Sequence, residues 1–197
     1  MRIARPWDLE LEYTREMMLP LAHAPRGWPA SVLQVGLGAA SITRYLHRHC
    51  PAAKVTVVEI LPQVVAAARQ FFKLPEESQR LRIVIGDGYE YLAATKRRFD
   101  FIVVDGFDED ARTGMLETLP FYLNCRERLT PKGVVAVNLL KRRGGIGPTV
   151  ARLREAFEDG VVRPMCEEGN TIAFGAREGG SHLLSLIPRI APGRSSR

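Results

Sequence analysis

Apolar residues recur along the chain in short, nearly continuous runs, each followed by a segment with helical spacing. SVLQVGLG (31–38) reads as a buried strand ending in glycines, and ASITRYLHRHC (40–50) as a helix stopped by Pro51. KVTVVEI (54–60) is a second strand, followed by the helix PQVVAAARQFFKL, with Pro62 in its first turn, where a missing N–H costs least. LRIVIGDG (81–88) and FDFIVVDG (99–106) are the third and fourth strands, with the helix YEYLAATKR between them. A helix over roughly 114–130, a fifth strand GVVAVNLL (133–140) and a helix IGPTVARLREAFED follow. VVRPMCEE and TIAFGAR form a closing hairpin with Gly169 and Asn170 at its turn.

Apolar strands alternating with helices indicate a parallel sheet covered on both faces. The expected class is therefore α/β, a doubly wound sheet of parallel strands plus a C-terminal antiparallel hairpin. Residues 1–30 form a helical lead-in, 31–178 the domain, and 179–197 a loosely held tail. Trp7 and Trp28 bracket the first helix and are expected to pack on the sheet's edge.

In open sheets of this kind a ligand lies beyond the carboxyl ends of the strands. At the first strand end, Gly36 and Gly38 let backbone approach a ligand. The second ends in Glu59, about twenty residues further on, where an acid grips ribose hydroxyls. The third ends in Asp87 and Gly88; its carboxylate suits an adenine amino group or, equally, a helix N-cap. The fourth ends in Asp105, within VVDGFDED (103–110), which holds four carboxylates in six residues. In series these strand ends point to an adenosine-type ligand.

Charge sharpens the picture. With 28 Lys and Arg against 22 Asp and Glu the chain carries +6, so an acidic strand end is a local reversal of sign. The excess is dispersed, without a basic helix carrying interleaved aromatics, so nucleic acid is not expected as a partner. No apolar run reaches the roughly 18 residues of a membrane span, and no apolar signal core follows the first basic residues; a cytoplasmic location is expected. Cys50, Cys125 and Cys166 are far apart and without a CxxC, which suits reduced thiols better than a metal site or disulfides. His47 and His49 flank a basic helix end and need no metal.

These motifs resemble the spermidine/spermine synthase family, the polyamine aminopropyltransferases. LELEYTREMMLPLA (9–22) resembles the family helix EFxYxEMI, and VLQVGLGAAS resembles VLxIGGGDGG. KVTVVEILPQVVAAARQFF resembles KVTxVEIDxxVIxxxxxYF, and RIVIGDGYEYL with FDFIVVDGFD resembles the GDG and DxxD elements, so that the likeness covers residues 9–140. The resemblance implies a Rossmann-like fold of the S-adenosylmethionine-dependent methyltransferase type, with the C-terminal hairpin that such transferases add. It implies transfer of an aminopropyl group from decarboxylated S-adenosylmethionine to a small-molecule amine, with no permanently bound cofactor and a homodimer as the assembly. Gly36, Gly38, Glu59, Ile60, Asp87 and Gly88 would bind the donor; Asp105 would deprotonate the attacking amine; Asp108 and Tyr13 would bind the acceptor.

One departure keeps an alternative open. Ala39 stands where the family's glycine loop carries an Asp that pairs with the donor's ammonium. Without that carboxylate, ordinary S-adenosylmethionine is not repelled. A small-molecule methyltransferase, or a non-catalytic nucleoside-binding relative, therefore stands beside the aminopropyltransferase.

Overall fold

In the computed structural model of the protein, residues 4–107, 114–140, 145–158, 161–164 and 170–187 are described. Among them, seven strands form one sheet: β1 (Ser31–Val35), β2 (Lys54–Glu59), β3 (Leu81–Ile85), β4 (Phe99–Val104), β5 (Leu129–Leu140), β6 (Val161–Pro164) and β7 (Asn170–Ala176). Their order is β3-β2-β1-β4-β5-β7-β6. The pairings among β1 to β5 are parallel, whereas β7 runs antiparallel to both β5 and β6. The chain winds outward from β1 to β3 and then returns to β4 on the other side of β1. That reversal opens a crevice at the carboxyl ends of β1 and β4.

The apolar strands read as they do because both faces are covered. Neighbouring residues along a strand point to opposite faces. Val32, Phe101 and Val103 pack with α3 (Ser41–His49) and α4 (Pro62–Phe71) on one side. Leu33, Ile102 and Val104 pack with α5 (Gly88–Ala94), α6 (Leu119–Arg128) and α7 (Gly147–Ala156) on the other.

Several elements differ from the sequence expectation. The single helix over 9–22 is two helices, α1 (Glu12–Met17) and α2 (Leu19–His23), broken at Met18. Pro20 explains the break: its ring would clash with the carbonyl four residues back, so it is accommodated in the first turn of a new helix. The helix over 114–130 is likewise divided into a 3-10 turn, Gly114–Glu117, and α6, at whose N-terminus the Thr118 hydroxyl accepts from the Phe121 N–H. β5 begins at Leu129 rather than 133. Its register with β4 jumps from Phe99↔Leu129 to Phe101↔Val134, and Pro131 lies in the irregular stretch between, where a missing N–H is tolerated.

The closing antiparallel pair is present, but Asn170 is the first residue of β7, paired with Leu140, and not a turn residue; Gly169 lies outside the described residues. The described part of the tail expected from 179 carries regular structure. Glu178–Gly180 form a 3-10 turn and Ser181–Ser185 a helix, α8, and Leu183, Leu184 and Ile187 are buried in the core. Trp28 is not on the sheet's edge: its ring packs, tilted by 40°, against Phe101 of the inner strand β4, with ring centroids 5.5 Å apart. No helix among the described residues is long and apolar enough to cross a membrane.

Candidate functional site

The carboxyl ends of β1 to β4 line a cavity of about 490 Å³, which the α1 helix reaches through Tyr13. Of the residues expected to bind ligand, Tyr13, Gly36, Gly38, Glu59, Ile60, Asp87, Gly88 and Asp105 all line it. Asp108, at the end of the DGFD element, lies outside the described residues.

Gly36 holds the floor. Its φ of 88° is in the left-handed region, and a Cβ there would overlap the backbone oxygen of Asp105. The Gly36 N–H donates to the Val58 carbonyl and the Asp105 N–H to the Val35 carbonyl, both at 2.9 Å, so the parallel ladder continues past the strand ends. Gly88 is equally constrained from the other side, since a Cβ would overlap Val35 Cγ1.

Glu59 is buried and held by backbone amides at both oxygens. Oε2 accepts from the Leu37 N–H at 2.8 Å and Oε1 from the Leu61 N–H at 3.0 Å. An ionised carboxylate has about four acceptor positions, so two remain for hydroxyl donors in the cavity. Asp87 caps α5, its Oδ1 accepting from the N–H groups of Tyr89 at 2.7 Å and Glu90 at 3.1 Å. Asp87 is thus an N-cap, and it also lines the cavity. Val58, Leu61 and Val64 supply apolar wall on this side, and Ile60 is 54% exposed beside it. Phe107, Met115 and Leu116 wall the other side.

Asp105 terminates the cavity next to Tyr13. The Tyr13 hydroxyl donates to Oδ2 at 3.3 Å, and Asn138 Nδ2 of β5 donates to Oδ1 at 2.8 Å. Asn138 is in turn fixed by Asn170 Nδ2 of β7, which donates to its Oδ1 at 2.9 Å. Burial pushes the Asp105 carboxyl above the usual carboxylate range, while the hydrogen bonds from Asn138 and Tyr13 pull it back in part. Glu59, Asp87 and Asp105 are the titratable carboxylates among the described lining residues, and no Lys or Arg is among them. The cavity thus has a polarity opposite to that of the whole chain, suited to an organic cation beside a nucleoside.

Asn138 and Asn170 are site residues absent from the sequence expectation. The signal for Asn138 is an amide inside the apolar run GVVAVNLL; Val104 pairs with Val137, so the next step along both strands sets Asn138 beside Asp105. Asn170, next to a glycine, carries the local signature of a turn instead. Asn138 is a positioning residue whose substitution has a specific readout. Asn138→Ala removes a hydrogen bond that favours the ionised form of Asp105, so the acid limb of a pH–rate profile should move upward. Turnover at neutral pH should fall about tenfold, the value of one hydrogen bond to a charged group. A purely structural role would lower the melting temperature and leave the limb in place.

Comparison with known proteins agrees with this geometry. The spermine/spermidine synthase domain matches residues 11–139. A polyamine aminopropyltransferase of Chromobacterium violaceum is 37% identical over 88% of this chain; the chain spans 66% of that relative's length. Among solved structures, human methyltransferase-like protein 13 in complex with SAH superposes with a TM-score of 0.77 at 26% identity, over 92% of this chain and 86% of that one. A spermidine synthase in complex with the transition-state analogue AdoDATO does so with a TM-score of 0.71 at 26% identity, over 86% of this chain and 62% of that one. A match over most of the domain, with the strand-end residues gathered in one cavity, assigns the chain to a family: it belongs to the spermine/spermidine synthase domain family.

Proposed function

We propose that the protein transfers an aminopropyl group from decarboxylated S-adenosylmethionine to a small polyamine acceptor. The observation that carries this reading is the three-carboxylate cavity without a basic residue among its described lining, ending on a deeply set Asp105. In the proposed reaction the acceptor nitrogen attacks the aminopropyl carbon bound to the sulfonium. A C–N bond forms, the C–S bond breaks and methylthioadenosine leaves with the electron pair. The nitrogen must first lose a proton, because an ammonium has no lone pair. Asp105, raised by burial, is suited to bind the cation and take that proton. Glu59 would hold the donor's ribose, the Asp87–Gly88 turn would lie beside the base, and Tyr13 and Asp108 would meet the acceptor. The likeness to polyamine aminopropyltransferases supports the substrate class, and a cytoplasmic homodimer belongs to the same proposal.

A second reading, methyl transfer from S-adenosylmethionine, is favoured by Ala39. The residue is exposed in the turn after Gly38 and puts no charge where a donor carboxylate would approach. The test is a product assay with the two donors supplied separately, each with a mixture of diamines and polyamines. Methylthioadenosine with an extended polyamine establishes aminopropyl transfer. S-adenosylhomocysteine establishes methyl transfer instead and rejects the first reading.

A further inference from the structure

A second cavity, of about 340 Å³, shares no lining residue with the one at the strand ends. Its described wall carries Arg44, His47 and Arg48 of α3, Lys73 after α4, and Arg80 before β3, and no carboxylate. Two acids close to these segments are committed elsewhere: Asp8 pairs with Arg5 at 3.0 Å and Glu77 with Arg69 at 2.8 Å. Four cations from three separate segments thus converge on one hollow without a counter-charge among its described lining, an arrangement that repels itself.

Arg44, Arg48 and Arg80 are each held by a contact, and Lys73 is exposed. Arg44 is buried and donates to the carbonyls of Pro6, Ala39 and Phe72. Arg80 donates to the Pro51 carbonyl at 2.8 Å and sits 3.1 Å from His47 Nε2. That contact requires the nitrogen to accept, which leaves His47 neutral; burial first, and the Arg80 charge second, hold its pKa below the ordinary value. Arg48 lies over the Trp7 ring at 5.2 Å. Lys73 has φ 50°, just past the C-terminus of α4, where the Leu74 N–H bonds back to the Ala68 carbonyl. Glycine or asparagine suits that conformation best. Lys73 occupies that position instead and places a charge at the cavity.

We propose that this cavity binds a small phosphate-type oxyanion, either inorganic phosphate or a phosphorylated metabolite. An extended polyanion fits less well, because the cations gather around one open hollow and do not run along a stripe. The proposal is independent of the transfer reaction.

Calorimetric titration of the full chain with inorganic phosphate, pyrophosphate and a sugar phosphate tests it. Saturable binding at one site per chain is expected, weakened about tenfold or more in the double variant Arg48→Ala/Lys73→Gly by loss of two charge-assisted contacts. Lys73→Gly suits the turn, so this variant should fold. Arg154→Ser on the exposed face of α7 should leave affinity unchanged. Tighter binding of the sugar phosphate than of phosphate assigns the site to a metabolite, and equal binding assigns it to the inorganic ion. No heat with any of the three overturns the proposal. So does binding indifferent to the cavity substitutions, which means an adventitious ion only, and so does an equal loss in Arg154→Ser. Stronger, length-dependent binding of duplex DNA also overturns it, in favour of an extended surface.

Discussion

Asp105→Asn is expected to lower turnover by about 10²–10⁴-fold, the usual contribution of a positioned general base, while donor affinity stays close to that of the unsubstituted protein. The shape of the site survives the change. The new amide oxygen accepts from Asn138 Nδ2 as the carboxylate does at 2.8 Å, and the new NH₂ can donate to the Tyr13 hydroxyl. What disappears is the charge that binds an ammonium and the lone pair that takes its proton.

Stability separates this loss from misfolding. The Asp105 carboxyl is raised in the fold, chiefly by burial. Such a group contributes stability that is fully present below its unfolded pKa and is lost as pH rises through its folded pKa. Ionisation of Asp105 therefore opposes folding relative to a neutral isostere. Asp105→Asn should melt at or above the parent temperature at pH 7, and the difference should shrink as pH falls through the raised pKa of folded Asp105 towards the ordinary carboxylate range. Scanning calorimetry at two pH values reads this. Turnover that survives Asp105→Asn would remove the residue from the chemistry and turn attention to a non-catalytic binding role.

Gly36→Ala is expected to cost about 2–6 kcal/mol of stability, from roughly 1–3 for a non-glycine residue in the left-handed region and roughly 1–3 for overpacking. The added methyl would overlap the Asp105 backbone oxygen. That oxygen cannot easily retreat, because the Asp105 N–H is bonded to the Val35 carbonyl and the Gly36 N–H to the Val58 carbonyl, both at 2.9 Å. Typical domains have only about 5–15 kcal/mol to lose, so a large fall in the denaturation midpoint, or failure to accumulate as folded protein, is the outcome. Gly38→Ala is the matched control. Gly38 has φ 50°, and apart from its chain neighbours no heavy atom would lie within 4 Å of an added Cβ. Only the backbone contribution, roughly 1–3 kcal/mol, should therefore appear. Equal effects at the two glycines would show that the contact with Asp105 is relieved by movement of the turn.

Local sequence was enough to establish the layered α/β architecture and most of the residues that line the strand-end cavity. Runs such as KVTVVE and FDFIVV are apolar on successive residues because both faces of the sheet are covered, and glycine or acid at each run's end is a local feature of one segment. Reading strand ends in series therefore located Gly36, Glu59, Asp87 and Asp105 without knowledge of strand order.

The surroundings of Asp105 depend instead on tertiary packing. Tyr13, Asn138 and Asn170 lie 92, 33 and 65 positions from it in sequence, the last being 33 to Asn138 plus 32 onward. Their approach depends on the packing of α1 against β5 and β7 and on the antiparallel register of β7, neither of which leaves a local mark. Asn170 shows the difficulty: beside a glycine it has the chemistry of a turn, and pairing with Leu140 makes it a buried strand residue. The basic cavity has the same origin. Arg44, Lys73 and Arg80 look like dispersed surface charge along the chain, and the winding of α3, α4 and β3 around one edge brings them together. Periodicity records which face of a segment is buried; which distant residues share that face is set by chain topology, and so is the chemistry they make together.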